Sequence, residues 1–132
     1  MALRSVKVRD YMAANPITVS PELSILQAIH LLIEHRISGL PVIDLRGNLV
    51  GMLSEHDCLR VALQASYHSE LGGTVSEYMS TDVKTVDADE SIVELAELFL
   101  SSSYRRFPVM ERQRLVGQIS RRDVLRALEV IY

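Results

Sequence analysis

The sequence predicts an α+β fold built from two similar β-α-β-β-α units related by a pseudo-twofold axis, and three observations predict it. Within 132 residues the chain repeats itself: residues 8–63 align with 75–129 at an offset of 67, falling to 66 after a one-residue deletion near Gly47. Such self-similarity marks a duplicated structural unit. Each copy carries one stretch with apolar residues at helical spacing, and each then carries two short apolar runs separated by a turn. The expected organisation is a first repeat with its lead-in at 1–66, a linker at 67–74 and a second repeat at 75–132.

The elements follow in order. Val8-Arg9-Asp10-Tyr11-Met12 and Val75-Ser76-Glu77-Tyr78-Met79 form matching lead-ins, followed by the extended segments Ile17-Thr18-Val19 and Lys84-Thr85-Val86. A helix is predicted over 25–35, started by the Ser20 hydroxyl before a first-turn Pro21. Its counterpart over 92–102 is predicted to start at Asp87, with Glu90 at capping-box spacing. Ile25, Ala28, Ile29 and Leu32 match Ile92, Leu95, Ala96 and Phe99 on the apolar stripes. Leu26, Leu31 and Ile33 widen the first stripe, so that helix is expected to be covered on more than one side. Strands at 40–43 and 49–53 flank the turn Arg46-Gly47-Asn48; strands at 107–110 and 115–119 flank Arg112-Gln113-Arg114. Final helices are predicted from Glu55 to about residue 65 and from Arg121 to about residue 130. One such unit of about 55 residues leaves too much apolar surface exposed to stand alone, whereas two can close a core. Tyr67 to Thr74, with Gly72-Gly73, reads as the linker.

Composition narrows the function classes. With 48% apolar residues the chain can bury a core; five Tyr, two Phe and no Trp leave Leu, Ile, Val and Ala to fill it. A net charge of −3 argues against obligate nucleic-acid or anionic-membrane binding. Charge is uneven, however: residues 70–97 hold eight acids against Lys84, and residues 105–126 hold seven Arg against Glu111 and Asp123. That Arg cluster suits either phosphates or a solvated face. The single Cys58 cannot pair internally and fits a reducing cytoplasm. No apolar run reaches the ~18 residues of a membrane span, and the first residues lack a secretory signal. His30, His35, His56 and His68 show no metal-ligand spacing with each other or with Cys58. No nucleophile with a base and orienter can be assembled, so neither a metal nor catalysis is expected.

One local pattern has a ligand mechanism. Gly51-x-x-Ser54-x-x-Asp57 and Gly117-x-x-Ser120-x-x-Asp123 fall at strand-to-helix junctions. Gly at a strand's end admits another group close to the backbone. The Ser lies beside helix-start N–H groups that favour anions, and the Asp one turn in offers two acceptors to a ribose diol. The same Ser-x-x-Asp is also a capping box, which stabilises by about 1 kcal/mol and carries no other meaning.

The repeat order, the Pro-Val strands (Pro41-Val42, Pro108-Val109), the Leu-Val-Gly strands (Leu49-Val50-Gly51, Leu115-Val116-Gly117) and the two Gly-x-x-Ser-x-x-Asp starts resemble a tandem pair of CBS domains, the Bateman module, from about Val8 to Leu128. The resemblance implies repeats packed through their sheets, leaving two clefts for adenosine-containing ligands. Carried over, the primary cleft would use Ser120, Arg122 and Asp123 for ribose and phosphate, with Ile17, Thr18, Ile37 and Ser38 around the base. The second would use Ser54, His56 and Asp57, with Lys84, Tyr104 and Arg105 near the base. Phosphate-binding members often place Arg two residues before the Pro; here that position is Gly39 in one repeat and Arg106 in the other. Arg106 and Arg122 therefore rank the Asp123 cleft first. They favour AMP, ADP or ATP over S-adenosylmethionine and NAD, because Arg engages phosphate through paired hydrogen bonds.

The expectation is a cytoplasmic, non-catalytic sensor that needs no cofactor, forms a homodimer and regulates a partner protein in trans, with nucleic acid and membrane unfavoured. The alternatives are a dimerising or docking scaffold of the same fold that binds nothing small, and a nucleic-acid contact through the Arg-rich second half.

Overall fold

A computed structural model describes residues 3–67 and 72–132. Residues 68–71 of the expected linker, His68 among them, lie outside the described residues. The chain divides into two packed units: a central unit, Ile17–Val83, and a terminal unit made of the residues up to Pro16 together with Lys84–Tyr132.

The central unit contains α2 (Ile25–His35), β2 (Gly39–Ile43), β3 (Leu49–Ser54), α3 (Glu55–Tyr67) and α4 (Val75–Tyr78), after α1 (Val8–Tyr11) and β1 (Ala13–Ala14) of the other unit. β2 and β3 form an antiparallel hairpin in which Gly39 faces Ser54 and Val42 faces Gly51, with a bulge after Val42. Val19 extends the sheet beside Val42 in parallel, and Ser80 extends it on the other side through Met52. Helix α2 begins and ends where the apolar periodicity placed it. It buries Ile25, Ala28 and Leu32 against Leu40, Val42, Leu53 and Val75. Leu31 packs partly buried against the same core, but Leu26 and Ile33 are exposed, so only part of the wider stripe is covered.

The cap of α2 differs from expectation. Ser20 and Pro21 open a turn closed by Leu23 N–H donating to the Ser20 carbonyl (3.2 Å), and the cap position is Ser24. The delay has a tertiary cause. Pro21 and Leu23 spend their carbonyls on the second lead-in, accepting from Ser76 N–H (2.9 Å) and Val75 N–H (2.9 Å), while Ile25 N–H at the helix start donates to the Gly73 carbonyl (3.1 Å).

The terminal unit contains β4 (Val86–Asp87), α5 (Ile92–Leu100), β5 (Arg106–Glu111), β6 (Arg114–Ser120) and α6 (Arg121–Ile131), together with α1, β1 and a 3-10 turn, Leu3–Ser5. Its sheet order is β1-β6-β5-β4. Asp87 does not cap α5. Its carboxylate accepts from Asp89 N–H (2.8 Å) in a local turn, and Ser91 is the cap, accepting from Val93 N–H (3.1 Å). Asp and Ser both satisfy such turns, and the closer one to the apolar run takes the helix. The core joins Ile92, Leu95 and Phe99 of α5 to Phe107, Val109 and Ile119 of the sheet and to Val6 and Val8 of the first lead-in.

The packed units therefore cut across the sequence repeats. The first repeat's lead-in completes the sheet of the second: Ala13 faces Gln118 and Ala14 faces Gly117. The second lead-in does the same for the first repeat, where Met52 and Ser80 exchange two backbone hydrogen bonds of 2.9 Å. The motif glycines permit this. A Cβ on Gly117 would stand 2.7 Å from both the Ala13 carbonyl oxygen and Met12 Sδ; one on Gly51 would stand 2.6 Å from Met79 Sδ and 2.9 Å from the Ser80 oxygen. The group brought close to the backbone is the chain's own lead-in.

Candidate functional site

In the terminal unit β5 and β6 bring Arg106 opposite Ser120, and α6 starts at the end of β6. Ser120 and Asp123 cap one another. Asp123 Oδ2 accepts from Ser120 N–H (2.8 Å) and from the Ser120 hydroxyl (3.1 Å), while Asp123 N–H donates to Ser120 Oγ (3.4 Å). The remaining oxygen, Oδ1, accepts from Arg126 Nη1 at 2.6 Å. Arg106 Nη1 donates to Gln118 Oε1 at 3.3 Å, and its Nε is buried with no partner among the described residues. A buried guanidinium N–H without an acceptor is costly, so Arg106 keeps a donor to offer. Arg122, Arg105 and Lys84 are exposed. Tyr104 lays its ring 5.3 Å from Phe107.

The central unit repeats the arrangement with different chemistry. Asp57 Oδ2 accepts from Ser54 N–H (2.9 Å) and Asp57 N–H donates to Ser54 Oγ (3.0 Å). Here Arg60, at the position of Arg126, stands 3.9 Å from Asp57 Oδ1. Its Nη2 donates instead to the Tyr78 carbonyl, with the guanidinium 5.7 Å from the Tyr78 ring centroid. Arg126 takes the equivalent place 6.0 Å from Tyr11 but keeps its contact with Asp123. Asp57 thus holds one oxygen nearly free, and Asp123 has both engaged. Gly39 occupies the Arg106 position facing Ser54, and a Cβ there would meet only ordinary contacts, the nearest 3.5 Å away. His56 is exposed. Burial pushes the Cys58 thiol above its ordinary pKa, and the neighbouring Asp57 charge adds to the shift.

Of the residues expected at the primary cleft, Arg106, Ser120, Arg122 and Asp123 lie together in the terminal unit, and Ile17, Thr18, Ile37 and Ser38 lie in the central unit. Ser38 offers its carbonyl to Glu55 N–H (2.9 Å), at the head of the Asp57 helix. Of the second set, Gly39, Ser54, His56 and Asp57 are central, whereas Lys84, Tyr104 and Arg105 are terminal. Arg105 in fact lines one open depression with Arg121, Arg122 and Arg126. Sequence reasoning missed Arg60 and Arg126. The signal was present, since Asp-x-x-Arg recurs in both repeats as Asp57/Arg60 and Asp123/Arg126.

Among the described residues no group of His, Cys, Asp and Glu could hold a metal ion, and no helix is long and apolar enough to cross a membrane.

The CBS domain family model matches residues 8–64 and again 75–130. The CBS domain-containing protein YhcV of Bacillus subtilis is 32% identical over 118 residues, covering 89% of this chain and 81% of that protein. The crystal structure of CBSX2 from Arabidopsis thaliana is similar at a TM-score of 0.84 and 31% identity, covering 96% of each chain. CBSX2 in complex with AMP gives 0.83 at 30%, covering 95% of this chain and 97% of that one. The CBS domain pair of MJ0100, in complex with 5'-methylthioadenosine and S-adenosyl-L-methionine, gives 0.80 at 28%, covering 96% and 98%. Each family match falls on one copy of the sequence repeat, and together they span most of the chain, which belongs to the CBS-domain family as a tandem pair of CBS domains.

Proposed function

We propose that this CBS pair is a regulatory module that binds an adenosine-containing ligand, with AMP, ADP or ATP favoured over S-adenosylmethionine and NAD, and that its occupancy controls a partner protein in trans. The observation that carries this reading is the terminal-unit cluster. Asp123 is a half-buried acceptor for ribose hydroxyls, and Arg106, facing Ser120 across the strands, retains an unpartnered buried N–H. Arg122 adds an exposed guanidinium beside Asp123. Support also comes from two similar proteins, one solved with AMP and one with 5'-methylthioadenosine and S-adenosyl-L-methionine. The Asp57 set, with Gly39 in place of Arg106, is the weaker phosphate binder. Any conformational response follows from the ligand's differential affinity for two states of the module. Exposed Leu59 and Leu63 on α3, and Leu125 and Val130 on α6, support self-association as a homodimer.

A scaffold that binds nothing small is the second reading. It is favoured by one observation: both Ser–Asp pairs are already satisfied as helix caps. Thermal melting against adenosine, AMP, ADP, ATP, NAD and S-adenosylmethionine, with GTP as control, separates the two. A ligand at a hundred times its dissociation constant adds about 2.7 kcal/mol. Asp123→Ala should weaken adenosyl binding by about 1.5–3 kcal/mol, the range for hydrogen bonds to charged groups. Arg106→Ala should hurt AMP and ATP far more than adenosine. Equal losses for all three would remove Arg106 from the phosphate, and no shift with any ligand at millimolar concentration would leave the scaffold.

A further inference from the structure

The two repeats hold the same arginine in two different places. Arg60 and Arg126 each stand three residues after the motif Asp, on α3 and α6. Their side chains are about equally exposed, at 55% and 58%. Each guanidinium lies over the Tyr of the lead-in in its own packed unit, 5.7 Å from Tyr78 and 6.0 Å from Tyr11. From that shared position Arg60 donates to the Tyr78 carbonyl and stays 3.9 Å from Asp57 Oδ1. Arg126 donates to Asp123 Oδ1 at 2.6 Å.

The backbone does not dictate the difference. Met12 and Met79, which close α1 and α4, have matching torsions (φ −67°, ψ 154° and φ −67°, ψ 155°). Both carboxylates are held alike, Asp57 Oδ2 by Ser54 N–H (2.9 Å) and Asp123 Oδ2 by Ser120 N–H (2.8 Å). The lead-in anchors correspond as well. Val75 and Ser76 N–H donate to the Leu23 and Pro21 carbonyls, and Val8 and Arg9 N–H to the Glu90 and Ala88 carbonyls, all at 2.9 Å. One frame therefore accommodates both arginine positions. An exposed ion pair gains little over hydration, and a carbonyl also accepts a charge-assisted bond, so the two positions lie close in free energy.

We propose that Arg126 is a two-position latch: it rests on Asp123 in the free protein, and occupation of that carboxylate transfers it to the Tyr11 carbonyl. That is the place Arg60 already takes in the other repeat. The occupant of Asp123 rests on the adenosyl-ligand reading, in which a ribose hydroxyl donates to Oδ1 and displaces Arg126. The latch itself needs only that the carboxylate charge be taken up. Transfer adds a bond between α6 and the first lead-in, so ligand binding tightens the segment before Met12 on the terminal unit. By linkage, loosening that segment weakens the ligand in the same proportion.

The test is amide hydrogen exchange by NMR on the full chain, at Val8 and Arg9, with Val75 and Ser76 as the internal reference. Without ligand, Arg60→Ala should speed exchange at Val75 and Ser76 at least threefold. Arg126→Ala should change Val8 and Arg9 less than twofold, because Arg126 is not yet on the lead-in. Asp123→Asn frees Arg126 with no ligand present. Its Val8 and Arg9 should exchange at least threefold more slowly than in Asp123→Asn with Arg126→Ala. That comparison cancels any weakening of the helix cap, which both variants share. Saturating adenosine should slow the same two amides at least threefold in wild type and less than twofold in Arg126→Ala. Absence of adenosine binding at millimolar concentration would remove the adenosyl reading, and the Asp123→Asn pair then decides the latch alone. Equal exchange in that pair, bound adenosine that leaves Val8 and Arg9 unchanged, or equal effects of Arg60→Ala and Arg126→Ala without ligand would overturn the latch.

Discussion

Replacing Gly117 by Ala drives a methyl group into the first lead-in. The new Cβ would stand 2.7 Å from the Ala13 carbonyl oxygen, 2.7 Å from Met12 Sδ and 3.1 Å from Met12 Cγ. The thioether can rotate away; the carbonyl cannot, because Ala13 and Ala14 are paired with Gln118 and Gly117. Relieving the contact means moving β1 off β6. Overpacking costs about 1–3 kcal/mol, and each backbone hydrogen bond lost adds about 0.5–1.5 kcal/mol. Gly117→Ala should therefore destabilise by about 2 kcal/mol, lowering the melting midpoint by roughly 8 °C for a chain of this size. Gly51→Ala meets the flexible Met79 Sδ first (2.6 Å) and the Ser80 carbonyl at 2.9 Å, so it should cost less. Urea unfolding followed by circular dichroism measures both, since the chain has no Trp. Met12→Ala in the Gly117→Ala background should recover only the thioether share. A loss below about 0.5 kcal/mol for Gly117→Ala, or a larger loss for Gly51→Ala, would refute the close approach of the lead-in carbonyl.

Three further outcomes are expected. Arg126→Ala frees Asp123 Oδ1 from its 2.6 Å partner, so adenosine should bind more tightly by up to about fivefold, the worth of an exposed ion pair; weaker binding would show that Arg126 supports the carboxylate instead of competing for it. Gly39→Arg places at the Asp57 set the residue that Arg106 supplies in the other repeat, with no contact closer than 3.5 Å at the Cβ. It should strengthen AMP binding in an Asp123→Ala background and leave adenosine unchanged, as titration would read. Hydrogen bonds from the Asn48 backbone N–H hold Asp44 below the usual carboxylate range, and the Arg9 side chain does the same for Asp89. Lowered folded-state values mean stability that is present above the unfolded value of about 4 and lost as pH falls through the lower folded value. The urea midpoint should fall as pH drops below about 4, and less steeply in Asp44→Asn.

Much of the fold was legible because its signals are local. The apolar spacing of Ile25, Ala28 and Leu32 delimits α2 at both ends, and the turn residues around Gly47 locate the β2–β3 hairpin. The crossed lead-ins were not legible. Met12-Ala13 and Met79-Ser80 are two-residue contacts without periodicity, and either would fit against either motif glycine. Helix starts were misread where several capping residues precede the apolar run, as at Ser20 and Ser24, because tertiary hydrogen bonds decide between them. At the site, the Ser-x-x-Asp boxes could be read directly. The difference between Arg126 on Asp123 and Arg60 on the Tyr78 carbonyl could not, since both arginines stand at the same spacing.

Calorimetric titration of adenosine, AMP and ATP into wild type, Asp123→Ala and Asp57→Ala tests the ligand-sensing account most directly. The account predicts that wild type binds all three, with the phosphorylated ligands tighter. Asp123→Ala should lose about ten- to hundredfold or more in affinity, and Asp57→Ala should lose less. Absence of binding heat for every ligand at millimolar concentration, or a greater loss in Asp57→Ala than in Asp123→Ala, would contradict it.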